Sequence, residues 1–334
     1  MKPTVALTFS LDVQRQVISP ELRAQMRDAF TLLSPEAEGK VTPEQAAQLL
    51  RNADGCMTGW GSPCLSAEVL AGAPRLRIVA HSAGSVKAFV SPALFERGIV
   101  VTSAAAQIAI DVAHATLALI IIGRKNIMEL APIVKSGQWS NPEGIHRKAD
   151  DPRGCTVGVI AASHVGRHVL KLLPHFDIKA LLYDPFVSAE QARALNAEKV
   201  ELDELFQRSD VVSCHAPSIP ATKHMVNAQR LAMMKDGATF INTARGSCVD
   251  EQALVQELSK KRIWAFLDVT DPEPPPPGSP LYTCPNLTLT PHITGSIGRA
   301  RLYLGAQAFR ELQAFFAGKP VQYQVQQEML ERMG

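Results

Sequence analysis

From Cys155 onward the chain alternates short β-branched runs with amphipathic stretches, and that alternation constrains its fold more than any other feature. Strands are expected at residues 155–160, 178–183, 211–215, 238–242, 264–269 and 287–290. Helical patterns lie between them at 165–176, 188–195, 228–234 and 250–259, the last with Asp250 as its N-cap. Strands that are apolar on both parities need cover on both faces, and helices between them supply it. The pattern therefore predicts an α/β fold built on a doubly wound parallel sheet. Upstream, residues 4–9 and 76–80 read as strands of a second, smaller α/β unit. A long helix at 104–124 joins the halves, and a helix at 297–316 returns to the first. The Pro-rich run 272–280 is neither helix nor inner strand, so it is a loop.

At 334 residues the chain is long enough for two cores. Its formal net charge is only +2, with no block of like charges, which argues against a nucleic acid or an anionic membrane as main partner. The six cysteines are scattered, with neither a CxxC pair nor a Cys/His cluster at zinc spacing. They read as free thiols in a reducing compartment, with no metal. The N-terminal MKPTVALTFS reads as a first strand rather than a signal peptide. The most apolar stretch, 108–122, is interrupted by Asp111 and His114 and is read as too short for a membrane span. A cytoplasmic enzyme fits these constraints.

The first strand of the second half runs into Ala161-Ala162-Ser163-His164-Val165-Gly166 and then a helix, the place of a dinucleotide-binding turn. Of the three glycines of its usual form, G-x-G-x-x-G, only the third survives, as Gly166. Ala161 and Ser163 hold the other places. Asp184 ends the next strand, 18 residues beyond Gly166 and near the spacing of about 20 at which an acid meets the adenosine ribose. A carboxylate there repels a 2′-phosphate, so NAD (NADH) is expected rather than NADP.

Three further segments end strands with chemistry-bearing side chains. They are Asn242-Thr243-Ala244-Arg245-Gly246, Asp268-Val269-Thr270-Asp271-Pro272-Glu273-Pro274 and Thr290-Pro291-His292-Ile293-Thr294. The carboxyl ends of parallel strands line a ligand crevice, so one Arg, one Glu and one His should converge there. Hydride transfer to a carbonyl carbon builds negative charge on the carbonyl oxygen. An imidazolium can donate to that oxygen, and the neutral ring takes the proton back in reverse. A carboxylate partner stabilises the imidazolium and orients the ring. A guanidinium offers a planar fork to a carboxylate.

These segments, with Val249-Asp250-Glu251 and His215-Ala216-Pro217, stand in the order and nearly the spacing of the D-2-hydroxyacid dehydrogenase family, which the chain resembles over most of its length. Ala83-Gly84-Ser85-Val86 and Gln138-Trp139 add to the likeness. The resemblance implies a Rossmann-type NAD domain at 104–295, and a smaller flavodoxin-like substrate domain assembled from 1–103 and 296–334. It implies Arg245, Glu273 and His292 as the catalytic set. It places Thr243 by the nicotinamide ring and Asp268 near the carboxamide, with Ser163, His164, Val165, Gly166, Asp184, His215 and Pro217 around the rest of the cofactor. Backbone N–H groups of Ser85 and Val86 would join Arg245 in holding the substrate carboxylate. A homodimer is implied as well. The chain departs from the family at Ala161 and Ser163, and at His114, where relatives often carry an acid. The imidazoles of His81, His146, His164, His168, His175 and His224 are read as ordinary, His164 entering only through its place in the turn.

Rival readings are an NAD-sensing corepressor-like protein without turnover and a degenerate relative that no longer binds cofactor. Against both stands the intact Arg–Glu–His set. Formate dehydrogenase, a related enzyme, is disfavoured by the glutamate at 273. Glyoxylate, hydroxypyruvate, 3-phosphoglycerate and bulkier 2-oxo acids share the groups these residues read. The choice among them is left to the loops at 52–61 and 81–86, where Trp60 suggests an apolar wall.

Overall fold

Side chains on a strand alternate between the two faces of its sheet, so an apolar run on both parities demands packing on both sides. The computed structural model describes residues 2–36, 38–139 and 149–332, and His146 lies outside them. Two units each meet that demand, one formed by Met1–Ile108 with Ser296–Met333 and the other by Ala109–Gly295.

In the first unit β1 (Thr4–Leu7), β2 (Thr31–Leu33), β3 (Gly55–Thr58), β4 (Ile78–His81) and β5 (Val100–Ser103) are parallel and lie in the order β5-β4-β3-β1-β2. That is the flavodoxin-like 2-1-3-4-5 order. Ala6, Cys56, Val79 and Val101 pack on one face, and Val5, Leu7, Met57, Ile78 and Ala80 on the other.

In the second unit the strands are β6 (Thr156–Ile160), β7 (Lys179–Tyr183), β8 (Ala197–Lys199), β9 (Val211–Cys214), β10 (Thr239–Asn242), β11 (Trp264–Leu267) and β12 (Leu287–Leu289). All are parallel, in the order β12-β11-β10-β9-β6-β7-β8. This is the Rossmann order with one added strand. Val157, Val159, Leu182 and Ile241 share one core, while Ile160, Leu181, Val212 and Phe240 share the opposite one. Strand order reverses between β6 and β9, so a ligand crevice is expected at their carboxyl ends.

The chain returns to the first unit through the helix Ala300–Phe316, which buries Ala308, Phe309 and Leu312 against β1, β3 and β4. β13 (Gln324–Val325) then adds antiparallel to β5, with Val325 opposite Val101. Buried Glu311 pins the link between them, accepting from Gln307 Nε2 at 2.8 Å and the Gln322 N–H at 2.9 Å.

Several sequence expectations need correction. The helix expected at 165–176 runs His164–Leu172 and tightens to a 3₁₀ turn at Leu173–Phe176, where Pro174 has no N–H to continue it. The last helix starts at Ala300 rather than 297, after Gly298 at φ +51°. Strands β2, β3, β5, β8 and β13 were not expected. Each is two to four residues long, too short to display alternation. The apolar stretch is not short: the helix Ala105–Arg124 is 20 residues and apolar enough, by length and composition alone, to cross a membrane. The helix itself agrees with the one expected at 104–124, and only the apolar count from 108 to 122 was short. Its Ala113, Leu117 and Ile120 belong to the core of the second unit.

Candidate active site

At the end of β6 the chain turns sharply into the helix His164–Leu172. Ala161 takes a left-handed conformation, φ +73°, where the usual turn places glycine. A Cβ at Gly166 would stand 2.0 Å from the Ala161 carbonyl oxygen, so the one retained glycine is the one the packing requires. Ser163 is relaxed at φ −63°, and its Oγ caps the helix by accepting the Gly166 N–H at 3.3 Å. Among the described residues the N–H groups of Ser163, His164 and Val165 donate to no protein acceptor. They form a donor set suited to a bound anion at the start of a helix.

Asp184 closes this turn from β7. One carboxylate oxygen accepts the Ala162 N–H and the other the Phe186 N–H, both at 2.8 Å. Each oxygen keeps a further lone pair. His215 is buried at the end of β9, its Nε2 2.9 Å from Ser213 Oγ and its Nδ1 without a hydrogen-bond partner among the described residues. Burial pushes this imidazole down to about 3, so it is neutral. Pro217 follows, and its carbonyl accepts from Thr222 Oγ1 at 2.5 Å. Free donors at the helix start, a carboxylate at the next strand and the strand-order reversal fit a dinucleotide.

Relaxing Ala161 should be measurable. A left-handed non-glycine residue costs about 1–2 kcal/mol, and glycine returns about 0.4–1 of that through the looser unfolded chain. Ala161→Gly is therefore expected to stabilise the protein by about 1 kcal/mol, read as a raised urea midpoint. An unchanged or lower midpoint would contradict the strain.

The chemistry-bearing residues follow β10, β11 and β12. Asn242 brackets the first turn: its Nδ2 donates to the Arg245 carbonyl at 2.8 Å and its Oδ1 accepts the Ala244 N–H at 3.0 Å. Arg245 is half-buried, with Nη1 2.6 Å from the Ala244 carbonyl. Thr243 is buried, its Oγ1 3.2 Å from Thr116 Oγ1. A Cβ at Gly246 would stand 2.0 Å from the Thr270 carbonyl carbon, so only glycine lets the arginine turn lie against the glutamate loop. The loop is tied a second time, the Asp271 N–H donating to Glu251 Oε1 at 2.8 Å. Burial, with Asp271 alongside, holds the Glu251 carboxyl above the usual range.

His292 Nδ1 lies 2.7 Å from Glu273 Oε1, and both side chains stay open to solvent at 46% and 42% exposure. His292 is itself left-handed, φ +53°, its N–H reaching the Asp268 carbonyl at 2.9 Å. Asp268, only 2% exposed, holds that conformation. Its Oδ1 accepts Thr290 Oγ1 at 2.6 Å and the Ile293 N–H at 2.8 Å; its Oδ2 accepts the Thr294 N–H at 2.8 Å and Thr294 Oγ1 at 2.5 Å. A carboxylate has about four acceptor sites, and all four are directed at the histidine loop. Sequence reasoning missed this use of Asp268 and the tie through Glu251. The threonines two residues either side of His292 were the signal available for the first.

In the first unit, Ser85 and Val86 follow β4. Ser103 Oγ donates to the Gly84 carbonyl at 2.5 Å and shapes the loop. Val86 is fully buried, and among the described residues the N–H groups of Ser85 and Val86 have no acceptor. His81 is buried beside them, its Nδ1 2.8 Å from Thr58 Oγ1, and burial pushes it down to about 4. Trp60 lies under the Arg301 guanidinium, 5.1 Å from the ring centroid.

Comparison with known proteins gives a consistent result. The family model for the D-isomer specific 2-hydroxyacid dehydrogenase NAD binding domain matches residues 117–294. The chain is 33% identical over 302 residues to a glyoxylate reductase of Thermofilum pendens, covering 88% of each chain. It is 33% identical over 270 residues to a D-3-phosphoglycerate dehydrogenase of Archaeoglobus fulgidus, covering 80% of this chain and 50% of that one. It thus spans about half the length of that relative. Among solved structures, the TT0316 protein of Thermus thermophilus matches with a TM-score of 0.72 at 29% identity, over 97% of this chain and 100% of that one.

Proposed function

The chain belongs to the D-isomer specific 2-hydroxyacid dehydrogenase family, and on that premise we propose that it reduces a small 2-oxo acid to the D-2-hydroxy acid, or runs the reverse, with NAD(H) preferred over NADP(H). It is an oxidoreductase dependent on a nicotinamide dinucleotide. The observation that carries the proposal is the 2.7 Å contact between His292 Nδ1 and Glu273 Oε1 at the end of the sheet.

Glu273 accepts from Nδ1, so that nitrogen keeps its proton in both charge states and Nε2 is the one that exchanges. As imidazolium, His292 donates Nε2–H to the substrate carbonyl oxygen; as neutral imidazole it takes the hydroxyl proton. The bound nicotinamide supplies or accepts the hydride. Arg245 holds the substrate carboxylate through its planar fork and polarises the carbonyl. The N–H groups of Ser85 and Val86, in the first unit, are assigned to substrate binding. Thr243, buried at the end of β10, is assigned to the nicotinamide end of the site. His215 and Pro217 line the adenosine side from the end of β9.

Asp184 supports the choice of NAD, because its carboxylate repels the 2′-phosphate of NADP and has lone pairs left for the ribose. A homodimer is proposed from the helix Ala105–Arg124. Only 28% of its most apolar window is buried, and Ile127 and Met128 just beyond it are exposed, so a second copy would cover that face. The six cysteines are free thiols, which supports a reducing compartment such as the cytoplasm. Assignment of the two units as substrate and cofactor domains belongs to the same proposal.

The deciding experiment follows NADH oxidation against glyoxylate, hydroxypyruvate and bulkier 2-oxo acids, with NADPH in parallel. Turnover with NADH preferred is expected. Tight NADH binding with no turnover on any acid would remove the enzymatic assignment of His292, and a preference for NADPH would remove the role given to Asp184.

A further inference from the structure

Glu273 and His292 are both open to solvent, at 42% and 46% exposure. An exposed pair gains little by itself, because ordering two long side chains offsets most of the attraction. The 2.7 Å contact between them therefore depends on how firmly the backbone on either side is held. On the histidine side Asp268 does this, through the N–H groups of Ile293 and Thr294. On the glutamate side two bonds fix the chain just before Glu273. Thr270 Oγ1 donates to the Pro272 carbonyl at 2.9 Å, and the Asp271 N–H donates to Glu251 Oε1 at 2.8 Å. Of these two, only the second reaches another element. Glu251 is the first residue of the helix Glu251–Ser259, which Asp250 caps by accepting the Ala253 N–H at 3.0 Å. Ala253, Leu254 and Leu258 bury the same helix in the core of the second unit, and the Asp250 N–H donates to the Val226 carbonyl at 2.9 Å. The carboxylate thus stands on a fixed post and grips a loop.

We propose that Glu251 is a positioning residue for the reaction, holding Glu273 against His292 through the Asp271 N–H. The proposal rests on the pairing of Glu273 with His292 in the proposed function, and it gives a role to a residue that the sequence offered only as part of a motif. That role is one of aim rather than of stability. The Asp271 N–H is open to water, so a solvent molecule can take the place of the missing carboxylate and folding changes little. Water, however, is not fixed to a helix. Without Glu251 the two residues that lead into Glu273 lose their tie to a rigid element, and its carboxylate no longer has one direction. A displacement on the order of 1 Å at a reacting group can cost about 10²-fold in rate, so even a partial loss of aim is measurable. What matters in Glu251 is an acceptor oxygen at the right reach, which an amide also supplies.

The test is a double-mutant cycle on the full chain, read as steady-state reduction with NADH of whichever 2-oxo acid the wild type turns over fastest. Glu251→Ala is expected to lower kcat about tenfold, with KM, the NADH dissociation constant and Tm close to those of the wild type. Glu251→Gln keeps an acceptor oxygen and should stay within about threefold of the wild type. The deciding background is Glu273→Ala. With nothing left to aim, adding Glu251→Ala to it should cost less than about twofold more. A further loss of about tenfold in that background would overturn the inference and make Glu251 a purely structural residue. A wild-type kcat in Glu251→Ala would overturn it too, as would a Gln variant as slow as the Ala variant. If Glu273→Ala leaves turnover untouched, the pairing of Glu273 with His292 falls instead. No turnover of any 2-oxo acid by the wild type would overturn the proposed function, and this inference with it.

Discussion

Replacing His292 by alanine is expected to lower kcat/KM for 2-oxo acid reduction by about 10²–10⁴-fold, the usual contribution of a positioned acid–base group. NADH affinity should stay close to that of the wild type. The loss follows from geometry: with Nδ1 committed to Glu273, Nε2 is the remaining exchanging nitrogen of the ring, and no other titratable group is assigned that proton. The backbone complicates the choice of variant, because residue 292 sits at φ +53°. Asparagine tolerates this region better than most residues, so His292→Asn separates loss of the imidazole from loss of the loop. Both variants should fail in turnover while binding NADH. An Asn variant that retains more than about a tenth of wild-type turnover would place the acid–base group elsewhere.

The second large effect is expected at Asp268. Removing its carboxylate in Asp268→Ala strands the N–H groups of Ile293 and Thr294 and the hydroxyls of Thr290 and Thr294. Each buried donor left unpaired costs about 1–3 kcal/mol, partly recovered if water enters, so a total of about 3–5 kcal/mol is expected. For a chain of this size that is a fall in Tm on the order of 10 °C. Turnover should fall as well, because the left-handed residue that aims the imidazole loses its anchor. If Asp268 acts instead through the nicotinamide carboxamide, as the family resemblance implies, the variant would lose NADH affinity while keeping wild-type Tm. The two roles are thus separated by one pair of measurements.

Much of this was legible in the sequence, for identifiable reasons. Arg245, Glu273 and His292 each follow a strand whose apolar run is unmistakable, and parallel topology sends the ends of such strands to one edge. Asp184 was legible through its distance from Gly166. What escaped were features decided by direction rather than by position. Nothing in the letters Leu-Asp-Val tells whether a carboxylate turns toward a ligand or toward the backbone 25 residues on, as it does between Asp268 and Ile293. Ala161 shows the same limit: its departure from glycine was plain, but that the chain keeps the left-handed turn regardless is a property of the packing around it. The short strands escaped because their pairing depends on neighbours distant in sequence. β13 has two residues and exists because β5 presents an open edge.

The return of the chain to its first unit has a consequence for how the protein is made. On the ribosome, residues 109–295 can complete their sheet as soon as they have emerged. The first unit, although synthesised earlier, cannot. Its face of Val5, Leu7, Met57 and Ile78 is covered in part by Leu22 and Met26 but completed by Ala308, Phe309 and Leu312, and among the described residues the outer edge of β5 is paired by Gln324 and Val325. The half that appears first must therefore keep an apolar sheet face and an open strand edge waiting through the synthesis of the whole second unit. Exposed apolar surface and an open strand edge are what make such an intermediate prone to aggregation.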